Sequence, residues 1–88
     1  MTILDEADLK GYITGNLGFD VRSTKLTDKL FSTGIIDSFA MIDLIMFLES
    51  KIGRRIPPKD ITLDNFDTLG DILDYVNAGA AQAKAANG

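Results

Sequence analysis

Hydrophobic residues recur at intervals of three and four positions in three stretches of this chain, a spacing typical of helices that bury one face. The first stretch spans about residues 5–16, the second 38–52 and the third 69–77. Gly18 and Gly53 follow the first two, and glycine commonly ends a helix because it adopts left-handed backbone angles without strain. The repeating hydrophobic positions are Leu9, Ile13, Leu17, Met41, Leu44, Ile45, Leu48, Ile52, Leu69, Ile72, Leu73 and Val76.

The segments between these stretches lack the alternating pattern of a β-strand. Residues 19–36 form a long connection, and a structureless connection of this length is unusual in a small domain. We expect its scattered hydrophobic side chains to hold it over the core, with one helical turn near Thr27–Phe31. Pro57 favours an extended passage, and Pro58 can open a short helix to about Ile61. The pattern therefore predicts an all-α fold, a small four-helix bundle of three main helices and one short helix.

The predicted helices account for one small domain, residues 1–78, within a chain of 88 residues. Residues 79–88 are rich in alanine and hold no large hydrophobic side chain, so we expect a frayed or disordered tail there. The chain has no cysteine, which excludes a disulfide framework and a thiolate metal site.

The charge and the first residues of the chain narrow the possible partners. The net charge of −4 argues against nucleic-acid binding and suits docking onto basic protein surfaces. The acidic start is unlike a signal peptide, and no hydrophobic run approaches the roughly 18 residues that a membrane span needs. We expect a cytoplasmic protein without membrane insertion.

The pair Asp37-Ser38 opens the most hydrophobic stretch of the chain. Side-chain oxygens of Asp and Ser accept hydrogen bonds from the free N–H groups of a first helical turn, so the pair is typical of a helix start. The simplest interpretation is a cap and nothing more. The position also places the hydroxyl of Ser38 at the positive end of a helix dipole, where an attached anion would be favoured.

Residues 34–39, with the sequence GIIDSF, resemble the modification site of the acyl and peptidyl carrier proteins. The order of predicted helices also matches that phosphopantetheine-binding family over about residues 5–77. The resemblance implies that a phosphopantetheinyl transferase moves a 4′-phosphopantetheine arm from coenzyme A onto Ser38, and that Asp37 takes part in recognising the transferase. It further implies a carrier that is not an enzyme and that holds acyl or aminoacyl cargo as a thioester on the arm.

Two departures from the fatty-acid carriers narrow the resemblance. Ala40 stands where those carriers often have an acidic residue. The surface after that helix is also often acidic in those carriers, whereas here it carries Lys51, Arg54 and Arg55. The chain looks more like stand-alone carriers that separate adenylating ligases load, the D-alanyl carrier proteins among them. We expect a monomer that presents its cargo to such ligases or to synthase enzymes.

Helical angles of about 100° per residue divide the stretch 38–52 into two faces. One face carries the core positions, with Leu44 and Leu48 at its centre. We expect the opposite face to be the partner docking surface, formed by Phe39, Ile42, Asp43, Met46 and Glu49. The alternative is that Phe39 and Ile42 pack under the long connection and are not exposed.

Other chemistry has little support in the sequence. Ser38 lies in no Gly-x-Ser-x-Gly elbow and the chain has no histidine to activate it, so a serine hydrolase is excluded. The acidic stretch 60–74 lacks the ligand spacing of an EF-hand, so no metal site is expected. The alternative function is a small helical interaction module without a prosthetic group, in which Asp or Asn could replace Ser38 as a cap.

Overall fold

The computed structural model of the protein describes residues 2–87, with side chains for residues 2–78. It is all-helical, and no strand occurs within that range, as the hydrophobic pattern predicted. The helices are α1 (Glu6–Tyr12), α2 (Ser38–Ile52), α3 (Leu63–Phe66) and α4 (Leu69–Asn87), with a π-helical turn at Ile13–Leu17 directly after α1 and a 3-10 turn at Pro58–Asp60.

Short side chains and glycines set the ends of the first two main helices. The carboxylate of Asp5 accepts a hydrogen bond from the N–H of Asp8 at 2.8 Å and so caps α1. Gly18 ends the π-helical turn with a φ of 82°, and Gly53 ends α2 with the same φ. Both are left-handed backbone conformations that glycine adopts without strain, so the two predicted stops are confirmed.

The core lies where α1, α2 and α4 meet, and the long connection closes one side of it. Most of the predicted core positions are buried, whereas Leu17, Met41, Ile52 and Leu73 are half-buried at its edge. Phe47 was not predicted to pack, yet its ring stacks on Tyr12 with the ring centroids 3.9 Å apart. The buried hydrophobic residues are Leu4, Leu9, Ile13, Val21, Leu30, Ile36, Ala40, Leu44, Ile45, Leu48, Ile56, Phe66, Leu69, Ile72 and Val76.

The long connection is held by three of its hydrophobic side chains, Val21, Leu30 and Ile36, which are buried in the core. The helical turn expected near Thr27–Phe31 is wrong, because the structure has non-helical turns there. The N–H of Asp28 donates to the carbonyl of Lys25 at 3.1 Å, and its carboxylate accepts from the N–H of Lys25 at 3.0 Å. These two hydrogen bonds hold residues 25–28 in a local turn, and such side-chain bonds to the backbone compete with helix formation.

The short third helix is displaced from its predicted position. Pro58 opens only the 3-10 turn, and the α-helical turn follows at α3, in a stretch whose pattern was ambiguous. Ile61 interrupts the two with a φ of −83° and a ψ of 79°. Helix resumes at Leu63 because Phe66 then points into the core, where it is fully buried.

The N-terminal segment is held by a side chain of α4 that the sequence pattern did not single out. The amide oxygen of Asn77 accepts hydrogen bonds from the N–H groups of Ile3 at 2.7 Å and Leu4 at 3.3 Å, and its amide nitrogen donates to the carbonyl of Leu4 at 3.2 Å. Leu4 is thereby fixed in the core. The backbone of α4 continues as helix to Asn87, beyond the predicted end near residue 77. The side chains of residues 79–88 are not described, so the frayed or disordered tail expected there stays a prediction.

Candidate functional site

Asp37 and Ser38 form the start of α2, as their residue types predicted. The backbone of Asp37 is extended, with φ −82° and ψ 162°, and its carboxylate accepts a hydrogen bond from the N–H of Ala40 at 2.9 Å. Asp37 is therefore the N-cap, and Ser38 is the first helical residue. The side chain of Ser38 takes no part in the capping hydrogen bond, and Ser38 is exposed. Its hydroxyl thus sits at a helix start, accessible to another protein.

A groove of about 450 Å³ begins at Ser38 and runs between α2 and the segment that follows it. That volume falls within the range of about 300–1,000 Å³ that is common for small-ligand sites. The groove is mostly apolar, with one carboxylate and one guanidinium at the end away from Ser38. Its walls are formed by Met41, Ile42, Ile45, Met46 and Glu49 of α2 and by Arg55, Ile56, Pro57, Pro58 and Ile61 of the following segment.

The face of α2 opposite the core is exposed and hydrophobic near Ser38. Phe39 is 86% exposed, Ile42 is 64% exposed and Met46 is 62% exposed. Phe39 and Ile42 therefore do not pack under the long connection, and the expected exposure of Met46 is confirmed. Exposed hydrophobic side chains grouped on one helix are unusual unless they meet a partner.

The two carboxylates expected on this face have different surroundings. Asp43 is exposed, and its backbone carbonyl accepts a hydrogen bond from the hydroxyl of Tyr12 at 3.2 Å. Burial, and then the charge of Asp43, raise the pKa of Tyr12 above its ordinary value. Glu49 is half-buried; its carboxylate accepts from the N–H of Ile56 at 2.7 Å and lies 3.8 Å from the guanidinium of Arg55. Asp43 is the more accessible negative charge beside the groove.

The groove wall opposite α2 is fixed by contacts to α4. The hydroxyl of Tyr75 donates to the carboxylate of Asp60 at 2.7 Å, and its ring packs at 5.1 Å from that of Phe66. Burial, together with the bond to Asp60, raises the pKa of Tyr75 to about 12. The hydroxyl therefore stays protonated, and keeps donating, to a higher pH than an ordinary tyrosine hydroxyl. This bond holds the 3-10 turn beside the groove.

The chemistry available at Ser38 is that of an acceptor for another enzyme. No histidine exists in the chain, so no general base of that kind can activate the hydroxyl. Within the part of the chain that the structure describes, no group of acidic residues is arranged to hold a metal ion. The exposed hydroxyl of Ser38 beside a hydrophobic groove leaves room for a group attached to its oxygen. The free amides of the first turn suit a phosphate there.

A protein-family model described as "Phosphopantetheine attachment site" matches residues 7–76. This match covers most of the chain and includes the cap, Ser38 and both walls of the groove. No solved structure matches the chain with significance. No helix among the described residues is long and apolar enough to cross a membrane.

Similar proteins include D-alanyl carrier proteins and an acyl carrier protein. A D-alanyl carrier protein of Streptococcus thermophilus is 32% identical over 54 residues, which is 61% of this chain and 68% of that protein. An acyl carrier protein of Thermotoga maritima is 32% identical over 68 residues, covering 77% of this chain and 82% of that protein. A D-alanyl carrier protein of Leuconostoc mesenteroides is 29% identical over 62 residues, covering 70% and 78%.

Proposed function

The chain belongs to the phosphopantetheine attachment family, and from that premise we propose that it is a stand-alone acyl or aminoacyl carrier whose arm is attached at Ser38. Members of this family carry 4′-phosphopantetheine covalently and are not themselves catalytic. The observation that carries the assignment to Ser38 is its position. It is an exposed hydroxyl, directly after the capping Asp37, at the mouth of the groove.

Each residue at this site has a separate task in the proposal. Ser38 supplies the oxygen to which a phosphopantetheinyl transferase attaches the arm taken from coenzyme A. Asp37 keeps the first turn of α2 in place and offers the transferase a negative charge for recognition. When bound, the arm supplies a thiol that holds the cargo as a thioester, which explains why a carrier can function without a cysteine of its own.

The exposed face of α2 is the docking surface of the proposal. Phe39, Ile42 and Met46 give a partner enzyme hydrophobic contacts close to the arm, and hydrophobic residues near the centre of an interface commonly dominate affinity. Asp43 adds a charge that can steer a basic partner. Glu49 lies at the far end of the same face, where its charge is less accessible to a partner because the carboxylate accepts from the N–H of Ile56 and lies 3.8 Å from Arg55.

The partners of the proposal are a phosphopantetheinyl transferase and adenylating ligases or synthase enzymes that load or use the cargo. The similarity to D-alanyl carrier proteins favours an aminoacyl ligase, and the similarity to an acyl carrier protein favours acyl-handling enzymes. We propose that the protein acts in the cytoplasm, where both kinds of partner meet coenzyme A and ATP, and that it is a monomer.

Intact mass spectrometry tests the attachment site. We expect the purified protein, incubated with coenzyme A and a promiscuous transferase, to gain the mass of one phosphopantetheine. Ser38→Ala should gain nothing, whereas Ser23→Ala, a matched change at another exposed serine, should load like the wild type. Modification of the Ser38→Ala protein would contradict the assignment.

The alternative function, a helical interaction module without a prosthetic group, rests on the same exposed face. Ser38→Asn separates the two functions, because Asp37 and not Ser38 caps α2, so the cap is kept, while Asn cannot accept the arm. A module should keep its biological activity in the Ser38→Asn variant, whereas a carrier should lose it entirely. Growth of cells that depend on the protein provides the readout.

A further inference from the structure

A buried carboxylate, Asp67, lies between α3 and α4 and is only 2% exposed. Its Oδ1 atom accepts hydrogen bonds from the N–H groups of Phe31 at 2.8 Å and Ser32 at 3.0 Å, and its Oδ2 atom accepts one from the hydroxyl of Ser32. Its backbone carbonyl accepts a further bond from the N–H of Leu30 at 2.6 Å. One residue therefore binds three consecutive residues that lie 35 to 37 positions earlier in the chain, on the segment that leads to Ser38.

The bound segment, residues 30–36, is a closed loop. The N–H of Ile36 donates to the carbonyl of Leu30 at 3.0 Å, which joins the two ends of the loop. Gly34 turns the chain with a φ of 80°, a conformation that other residues adopt only with strain. Leu30 and Ile36 are buried, while Ile35 between the turn and the site is 37% exposed. The loop thus presents its outer surface immediately before Asp37 and Ser38.

Asp67 is not needed to start the helix that follows it. The hydroxyl of Thr68 accepts the N–H of Asp71 at 3.0 Å and serves as the cap of α4. Among the residues that the structure describes, every hydrogen bond that the Asp67 carboxylate accepts comes from the 30–36 loop. Burial alone raises the pKa of this carboxyl, but bonds from Ser32 and Phe31 and the nearby charge of Lys29 bring it below its ordinary value. The carboxyl group is therefore ionised at neutral pH, and hydrogen bonds to an ionised acceptor are stronger than those to a neutral one.

We propose that Asp67 is a positioning residue for the loading of Ser38, because it holds the 30–36 loop as a preformed part of the surface that the transferase contacts. This inference rests on the proposed function. A fixed loop spares the enzyme the entropy of ordering it on contact, and that saving appears as tighter binding. Loss of the carboxylate should therefore raise the KM for the carrier and leave kcat nearly unchanged. Assays at temperatures well below the melting transition keep the carrier folded, so a raised KM there does not reflect a smaller folded fraction.

The test compares transfer kinetics of folded variants with one transferase and coenzyme A. Asp67→Ala removes every acceptor, Ser32→Ala removes only the hydroxyl bond, and Asp67→Asn keeps one oxygen for the two N–H groups. We expect Asp67→Ala to lower kcat/KM about tenfold through KM, with smaller effects for Ser32→Ala and partial restoration in Asp67→Asn. Asp64→Asn, the same charge change at an exposed residue of α3, should load like the wild type.

Amide hydrogen exchange supplies the second readout. In Asp67→Ala we expect faster exchange at the amides of residues 31–36, while the core amides of Leu44 and Leu48 keep their protection. A folded Asp67→Ala protein with wild-type KM would overturn the inference. If that variant does not fold, Ser32→Ala and Asp67→Asn decide, and wild-type KM in both would overturn it equally. A wild-type protein that takes no arm would instead show that the proposed function itself is wrong, and the inference with it.

Discussion

At the scale of single residues, Asp37 has two proposed tasks, because its carboxylate caps α2 and lies next to the hydroxyl that we propose as the acceptor of the arm. Its bond to the N–H of Ala40 satisfies one of the donors left free at the start of α2. The same charge is exposed beside Ser38, where an approaching enzyme meets it. The capping task needs only an oxygen, whereas the proposed recognition of the transferase needs the charge, so the two can be separated by substitution.

We expect Asp37→Asn to leave stability nearly unchanged, because Asn caps a helix about as well as Asp. The rate of arm transfer to Ser38 should fall in this variant, since the charge is lost. Asp37→Ala should show the same fall and in addition lose about 1 kcal/mol of unfolding free energy. Urea unfolding and transfer kinetics measure the two effects. Equal transfer rates for Asp37→Asn and the wild type would exclude the recognition task.

The sequence was sufficient to predict residues whose partners are near in the chain. The cap at Asp37 reaches Ala40, three positions on, and residue types alone indicate such a cap. Asp67 and Asn77 could not be singled out in this way, because their partners lie 35 to 36 and 73 to 74 positions away. Nothing in an isolated Asp or Asn signals a bond to a distant backbone. Such residues emerge only once the fold brings the segments together.

At the scale of elements, α2 has two faces with different tasks. Leu44 and Leu48 are fully buried against the other helices, whereas Met46, between them in sequence, is 62% exposed beside the groove. One helix therefore anchors the site in the core and presents the surface around it. A change on one face should have little effect on the task of the other.

We expect Leu48→Ala to lower the unfolding free energy by roughly 2–5 kcal/mol, because it leaves a cavity in the core. Met46→Ala should change stability by less than about 0.5 kcal/mol but weaken loading by the cognate ligase, and Met46→Glu should weaken loading further. Thermal unfolding and a loading assay provide the measurements. An unfolded Met46→Ala protein beside a stable Leu48→Ala protein would contradict this division of the helix.

The main helices could be located because their hydrophobic spacing is a strong local signal, and glycines mark the ends of the first two. The short α3 could not be placed, since a helix of four residues carries too little periodicity. Its position is decided instead by Phe66, which fills the core, and by the side-chain bond from Asn65 to the carbonyl of Asp60 at 2.9 Å. The π-helical turn after α1 has no sequence signal that we can identify.

At the scale of the whole molecule, three polar side chains in the last third of the described chain hold the non-helical segments in place. Asn77 holds the N-terminal segment, Asp67 holds the 30–36 loop, and Tyr75 holds the 3-10 turn through Asp60. All three lie at or before residue 77. These three contacts lie within residues 2–78, whose side chains are described, and the domain boundary near residue 78 stays a prediction.

Truncation after Gly79 tests the predicted domain boundary near residue 78. The removed residues carry no large hydrophobic side chain that could contribute to a core. We expect the melting temperature to stay within a few degrees and Ser38 still to accept the arm. A drop of more than roughly 10 °C, equivalent to more than about 1 kcal/mol for a domain of this size, would show that the tail packs.

The central claim is that Ser38 carries a cargo-bearing arm in the cell, and the intact mass of the protein isolated from its native cells tests it most directly. We predict the mass of the chain plus one phosphopantetheine, with a further acyl or aminoacyl mass that neutral hydroxylamine removes because it cleaves thioesters. The Ser38→Ala protein from the same cells should have the mass of the chain alone. An unmodified wild-type protein, or an identical added mass on Ser38→Ala, would contradict the account.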